Sequence, residues 1–216
     1  MGQPNIYYAH DLEALKAFSS RNETLGLVER AAPADANGFF DLLMKEPPFY
    51  IIGVVTKNDA AADIRQVLEG QFPKKITGHA FYDAWIEEMA QTAQVFCDIQ
   101  KTDSLGYWIG SQRGCSRYHI DNVPLRMLVT YAGVGTEWIP DDAVDRNAYH
   151  AGAPNEKIVK DPSAIRFMNA WDVAVFRGGP DGLLHRTPDA ALSGPSVMMH
   201  LDHPAFWESI LKRQIP

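Results

Sequence analysis

Beyond Gly106 the chain becomes a run of short apolar stretches, each closed by Gly or Pro, and this rhythm limits the folds open to it. Residues 107–110, 117–121, 125–131, 170–176 and 197–201 have the length and composition of strands. The breaks between them are Asn122-Val123-Pro124, Gly133-Val134-Gly135, Gly178 to Gly182 and Ser193-Gly194-Pro195. Many short strands with such punctuation predict a sandwich or barrel. Residues 140–166 are polar and contain Pro, which predicts a long excursion of the kind that covers sites.

The first hundred residues have a different period. Asp11 is placed to cap a helix carrying Leu12, Leu15 and Phe18 on one face. Ile64, Val67 and Leu68 share a second helical face. Phe81, Trp85, Met89 and Phe96 recur at helical spacing over residues 80–96. Such an aromatic stripe reads as core. One buried strand is expected over residues 49–55, after the helix-breaking Pro47-Pro48. Residues 204–214 are expected to form a closing helix with Pro204 near its first position.

Composition excludes several functions. Of the 216 residues, 46% are hydrophobic and 22% charged, enough to bury a real core in one domain. The net charge of −7, without a basic run, argues against nucleic acid as partner. No run of about 18 apolar residues exists to cross a membrane. The N-terminus lacks the basic-then-apolar pattern of a secretory signal, so a cytoplasmic location is expected. Two cysteines do not make a disulfide framework. Nothing in the sequence speaks to oligomeric state.

Chemistry concentrates in one pattern. On an extended strand, alternate side chains share a face. Cys115, Arg117, His119 and Asp121 would then line one ribbon, and His119-Ile120-Asp121 would aim an imidazole and a carboxylate at one point. His185 is expected to supply a third ligand. It begins a strand that returns from the Gly178–Gly182 turn after the strand at 170–176. Two imidazoles and one carboxylate form the facial triad of non-haem Fe(II) oxygenases. Zinc accepts the same ligand types. Cys115 is either a soft additional ligand, which would favour zinc, or a small buried hydrophobe beside the site. His200 either faces the pocket or packs outside it. His10, His79 and His150 are expected at the surface, and His203 at a helix entry. The alternative for the triad itself is two satisfied core histidines and a turn-capping Asp121.

An oxygenase that uses 2-oxoglutarate also needs a cation for the far carboxylate. In that superfamily the basic residue often follows the second histidine by about ten residues, but residues 192–198 contain no Lys or Arg. Arg126, in the apolar run 123–129, is the favoured substitute, with Arg117, Arg177 and Arg186 behind it. A buried guanidinium needs a counter-charge. That charge is either an anionic ligand or a carboxylate from elsewhere, such as Asp172 or Glu137. Tyr131 and Trp138 are expected to line the substrate pocket.

The stretch from Cys115 to Trp138, together with Leu184-His185-Arg186-Thr187-Pro188 and the strand ending in Leu201-Asp202, resembles a bacterial family of uncharacterised proteins, domain-of-unknown-function family 1826. The resemblance brings no established activity. Zinc-responsive gene neighbourhoods of some members imply zinc or metal homeostasis as one role. Members often carry arginines before the last strand, where this chain has Pro195 and Ser196.

The fold expected is therefore α+β, a double-stranded β-helix (jelly-roll, cupin-like) core over 105–203. A mainly helical part over 1–104 flanks it, and a helix over 204–216 closes it. The function expected is an Fe(II)/2-oxoglutarate-dependent oxygenase acting on a small molecule. The alternative is a cupin-like zinc protein for metal homeostasis or metal-assisted hydrolysis.

Overall fold

The computed structural model describes residues 5–206. Ten strands are described: β1 (Ile6–Tyr8), β2 (Leu25–Val28), β3 (Tyr50–Thr56), β4 (Ser104–Gly110), β5 (Leu125–Ala132), β6 (Glu137–Ile139), β7 (Arg166–Phe167), β8 (Val173–Arg177), β9 (Leu184–Arg186) and β10 (Val197–Asp202). Seven form one sheet in the order β1-β2-β8-β5-β10-β4-β3, and three form a smaller sheet in the order β7-β6-β9. All the pairings are antiparallel except β1 with β2. The architecture is mixed α and β, with one large sheet.

Alternation along the central strands assigns the two faces of the large sheet. Met127, Val129 and Tyr131 of β5, Tyr107 and Ile109 of β4, and Met199 and Leu201 of β10 enter one core with the helices Ala36–Leu43, Ala60–Val67 and Tyr82–Gln100. Trp85 and Phe96 are fully buried there, as the helical stripe predicts. The opposite face carries Leu128, Ala174 and Phe176, which meet Trp138, Met168 and Leu183 from the side of the smaller sheet. The intervening positions of β5, β4 and β10, Arg126, Trp108 and His200, open onto a cavity.

The structure corrects the sequence reading in several places. The first half contributes three strands to the large sheet, not one. All four residues of β2 are buried, so it shows no alternation, and β1 has only three residues. The expected strand at 117–121 is reduced to a single bridge between His119 and His185. The strand expected from Ala170 begins at Val173, because Trp171 sits in the left-handed region at φ 75°. There Asp172 accepts from the Asn169 amide at 2.8 Å and the Arg30 amide at 3.2 Å, which makes a turn. Asp11 caps Leu12–Leu15 as expected, accepting from Ala14 N at 2.7 Å. Residues 204–206 are helical, and the rest of the expected closing helix lies outside the described residues. Among the described residues, no helix is long and apolar enough to cross a membrane.

Candidate metal centre

His119 and His185 face each other across the bridge that adds the 119–121 segment to the edge of β9. His119 N donates to His185 O at 3.0 Å, and His185 N donates to His119 O at 3.1 Å. The two rings lie 4.5 Å apart. Alternation then does the rest locally. Tyr118 and Ile120 turn into a small apolar cluster with Ile139, Ile158 and Leu184, so His119 and Asp121 turn the other way. The excursion at 140–166, folded as short helices, braces this segment. Tyr118 N donates to Asn155 Oδ1 at 3.0 Å, and Asn155 Nδ2 donates to Ser116 O at 2.9 Å.

Asp121 is held from the opposite side by the turn after β8. A Cβ on Gly178 would stand 2.0 Å from Val123 O and 2.4 Å from Asp121 O, so only glycine allows this approach. Gly179 N donates to Asp121 O at 3.3 Å.

One ligating atom from each of His119, Asp121 and His185 lies within 4.8 Å of the others. Three features suit this set to a divalent cation. The Nδ1 of His119 lies 3.0 Å from Arg117 O, and that of His185 3.0 Å from Leu183 O. A carbonyl only accepts, so each Nδ1 carries the proton and each Nε2 offers a lone pair. Burial lowers the His185 pKa to about 4, outweighing the pull of Asp121, so the ring is neutral at ordinary pH. Asp121 Oδ2 is buried with no hydrogen-bond partner, 3.5 Å from His185 Nε2. Two acceptors facing each other without a donor are costly unless a cation joins them.

Asp121 Oδ1 accepts from Arg126 Nη1, while Arg126 Nε and Nη2 donate to the two oxygens of Asp202 at 2.8 and 3.1 Å. Burial opposes the Arg126 charge, but the two carboxylates outweigh it and raise its pKa. Burial raises the pKa of Asp202 against the pull of Arg126. Two carboxylates share one guanidinium, so the trio keeps an excess of negative charge. The counter-charge of Arg126 is thus a pair of carboxylates, neither of them Asp172 or Glu137. Arg126 bridges Asp121 and Asp202, and these carboxylates already meet its charge.

The cavity beside the triad has a volume of about 370 Å³. His119, His185, Cys115, His200, Arg126 and Arg186 line it. Cys115 is exposed rather than buried, and its sulfur is not in the converging set. His200 stacks edge-on to Trp108 at 4.5 Å and lies 3.4 Å from Asp202 Oδ2. Arg186 is paired with Glu137 at 2.8 Å and Asp189 at 2.9 Å. Arg117 is exposed and donates to Ala153 O at 2.7 Å, away from the cavity. Arg177 donates to backbone oxygens of Glu23 and Arg21.

Two expected pocket residues are elsewhere. Tyr131 lies in the helix-covered core, stacked on Phe40, with its hydroxyl donating to Glu88. Its five-residue offset from Arg126 puts it on the other face of β5. Trp138 sits opposite His185 in the register of β6 and β9, but is buried between the sheets. The sequence reading missed Asp202, Trp108, Thr136 and Arg113. Alternation with His200 could have found Asp202.

Solved structures similar to this chain include three oxygenases at low identity. The Fe(II)/α-ketoglutarate-dependent dioxygenase TqaL is 12% identical with a TM-score of 0.46, over 88% of this chain and 85% of its own. A 2OG-Fe(II) oxygenase-family oxidoreductase from Burkholderia pseudomallei is 9% identical with a TM-score of 0.41, over 93% and 94%. The dioxygenase for auxin oxidation 1 from Arabidopsis thaliana is 9% identical with a TM-score of 0.40, over 92% of each. No curated protein matches the chain significantly. The family model for proteins of unknown function called DUF1826 matches residues 9–202, and the chain belongs to that family.

Proposed function

We propose that this protein is a mononuclear metal enzyme of the Fe(II)/2-oxoglutarate oxygenase type, on a double-stranded β-helix core. The observation that carries the reading is the convergence of two Nε2 lone pairs with the unpartnered Oδ2 of Asp121. Three protein ligands on one side leave the positions towards the cavity open. The cavity is of a size for a small molecule. The whole chain is read as one domain. A cytoplasmic site of action fits two cysteines that are both free thiols.

His119, Asp121 and His185 would hold an Fe(II) ion, which would supply the chemistry for coupling oxidative decarboxylation of a 2-oxo acid to oxidation of the substrate by dioxygen. The residues do the holding. His119 and His185 present Nε2 because their Nδ1 protons are tied to backbone carbonyls. Arg126 takes Oδ1 of Asp121, which leaves Oδ2 for the ion, and Asp202 fixes Arg126 in turn. Phe176 packs on the His185 ring at 4.6 Å and helps exclude water from it.

The test is anaerobic purification with metal analysis, followed by a 2-oxoglutarate turnover assay. The reading expects about one ion per chain and Fe(II)-dependent formation of succinate and CO₂. Zinc bound tightly, with no turnover under any added metal, would favour a zinc-binding role instead.

A further inference from the structure

Arg113 follows β4 in a loop on the rim of the triad cavity, and it differs from every other guanidinium there. Arg126 and Arg186 are each paired with two carboxylates. Arg113 has no carboxylate partner among the described residues. Its Nη1 donates to Val134 O at 2.7 Å and its Nη2 to Thr136 Oγ1 at 2.8 Å, while its Nε is buried with no acceptor. Burial lowers its pKa to about 10, against a weaker effect of Cys115. Trp108 also lines the cavity, and its buried Nε1 is likewise without an acceptor. Thr136 Oγ1 accepts from Arg113, so its own proton remains available to the cavity it lines.

An unbalanced cation and two orphaned donors ask for the same thing, an anion with several acceptor oxygens. The two bonds to Val134 and Thr136 hold the guanidinium plane in advance, which lowers the cost of fixing it when a ligand binds. We propose that Arg113, with Thr136 and Trp108 beside it, forms a carboxylate-binding subsite for a ligand whose other end reaches the His119–Asp121–His185 centre. This rests on the metal reading above and names the ligand class, a dicarboxylic 2-oxo acid held by its far carboxylate at Arg113. The subsite lies at the end of β4, not on the last strand, where residues 192–198 lack Lys and Arg.

The experiment measures binding rather than turnover, on the full chain loaded with Mn(II) without oxygen, by calorimetry. Metal content is determined separately. The probes are 2-oxoglutarate, 2-oxobutyrate (no far carboxylate) and glutarate (no oxo group). Wild type should bind 2-oxoglutarate about 10- to 100-fold more tightly than 2-oxobutyrate, the weight of a charge-assisted pair. Arg113→Gln should erase that preference with metal content and melting temperature unchanged, and Arg113→Lys should restore part of it. Comparing the two oxo acids on wild type keeps the test valid if Arg113→Gln folds poorly. Equal binding of both oxo acids by wild type overturns the inference, as does an Arg113→Gln protein that keeps the preference. The metal reading then stands or falls on the metal content alone. If no metal binds, glutarate at millimolar concentration still decides. A rise in melting temperature in wild type but not in Arg113→Gln supports the subsite, and no such rise overturns it.

Discussion

The two faces of the large sheet are built from alternate residues of the same strands, yet they follow different physics. The helix-covered face is apolar and close-packed. Met127, Val129, Met199 and Leu201 share one apolar cluster with Trp85, Met89 and Phe96. The cavity face buries charge. Arg126 and Asp202 each stand one residue from a core side chain, Met127 and Leu201, and each depends on one or two named partners. Burial of apolar area is non-directional and tolerates exchange, whereas a buried ion pair is strongly destabilised by loss of either member. Losses on the apolar face should therefore fall on stability alone, whereas losses on the cavity face should reach metal affinity as well.

The largest expected effect is on the cavity face. His185→Ala and His119→Ala should each reduce bound metal from about one ion per chain to near zero, while circular dichroism and the metal-free melt stay close to wild type. Metal content by mass spectrometry and the melts check both halves. Retained metal in both variants would remove the site, and global unfolding would make it a structural centre in which binding energy is folding energy.

Trp85→Ala is the reciprocal test. Trp85 is fully buried, in contact with Phe39, Phe40 and Tyr131. Its truncation should cost about 3–5 kcal/mol in denaturant unfolding. The fraction that remains folded should still bind metal with wild-type affinity. A loss of affinity without a loss of stability would break the division between the faces.

Arg126→Met sharpens it. Asp121 and Asp202 would lose their shared cation, and Asp121 its orientation. Metal affinity should fall about 10- to 100-fold, the usual weight of a group that orients a ligand. If affinity holds while stability falls, Arg126 braces the sheet and does not aim Asp121. Asn155→Ala should be the mildest. It removes two hydrogen bonds to the segment before His119, so a loss of about 1 kcal/mol and a weakening of metal binding of a few-fold are expected. An unchanged metal titration would mean that the excursion does not position the triad.

The candidate site was legible in part. His119 and Asp121 could be paired because their two-residue spacing survives any extended conformation, even one with a single bridge. His185 was legible from the Gly-rich turn that returns it. Arg126 was picked out as a buried charge that needs a partner, but its partners lie five and seventy-six residues away, beyond any local pattern. Arg113 gave no signal, because an arginine in a polar loop reads as solvated until its surroundings are known. Tyr131 was misplaced against a rule that was available, since it and Arg126 occupy opposite faces of one strand.

The sequence by itself determined the periodicities: that the stretches around 60–68 and 80–96 are helix, which residues of β4, β5 and β10 share a face, and where Gly and Pro turn the chain. These follow from backbone geometry and local sterics, which act within a few residues. Only the tertiary structure decided which face received the helices, that β1 and β2 extend the sheet, and which charges meet in the cavity. Those outcomes depend on strand pairing between distant segments, and on the low dielectric of a closed interior, where an unpaired charge is too costly to leave and the choice of partner becomes specific.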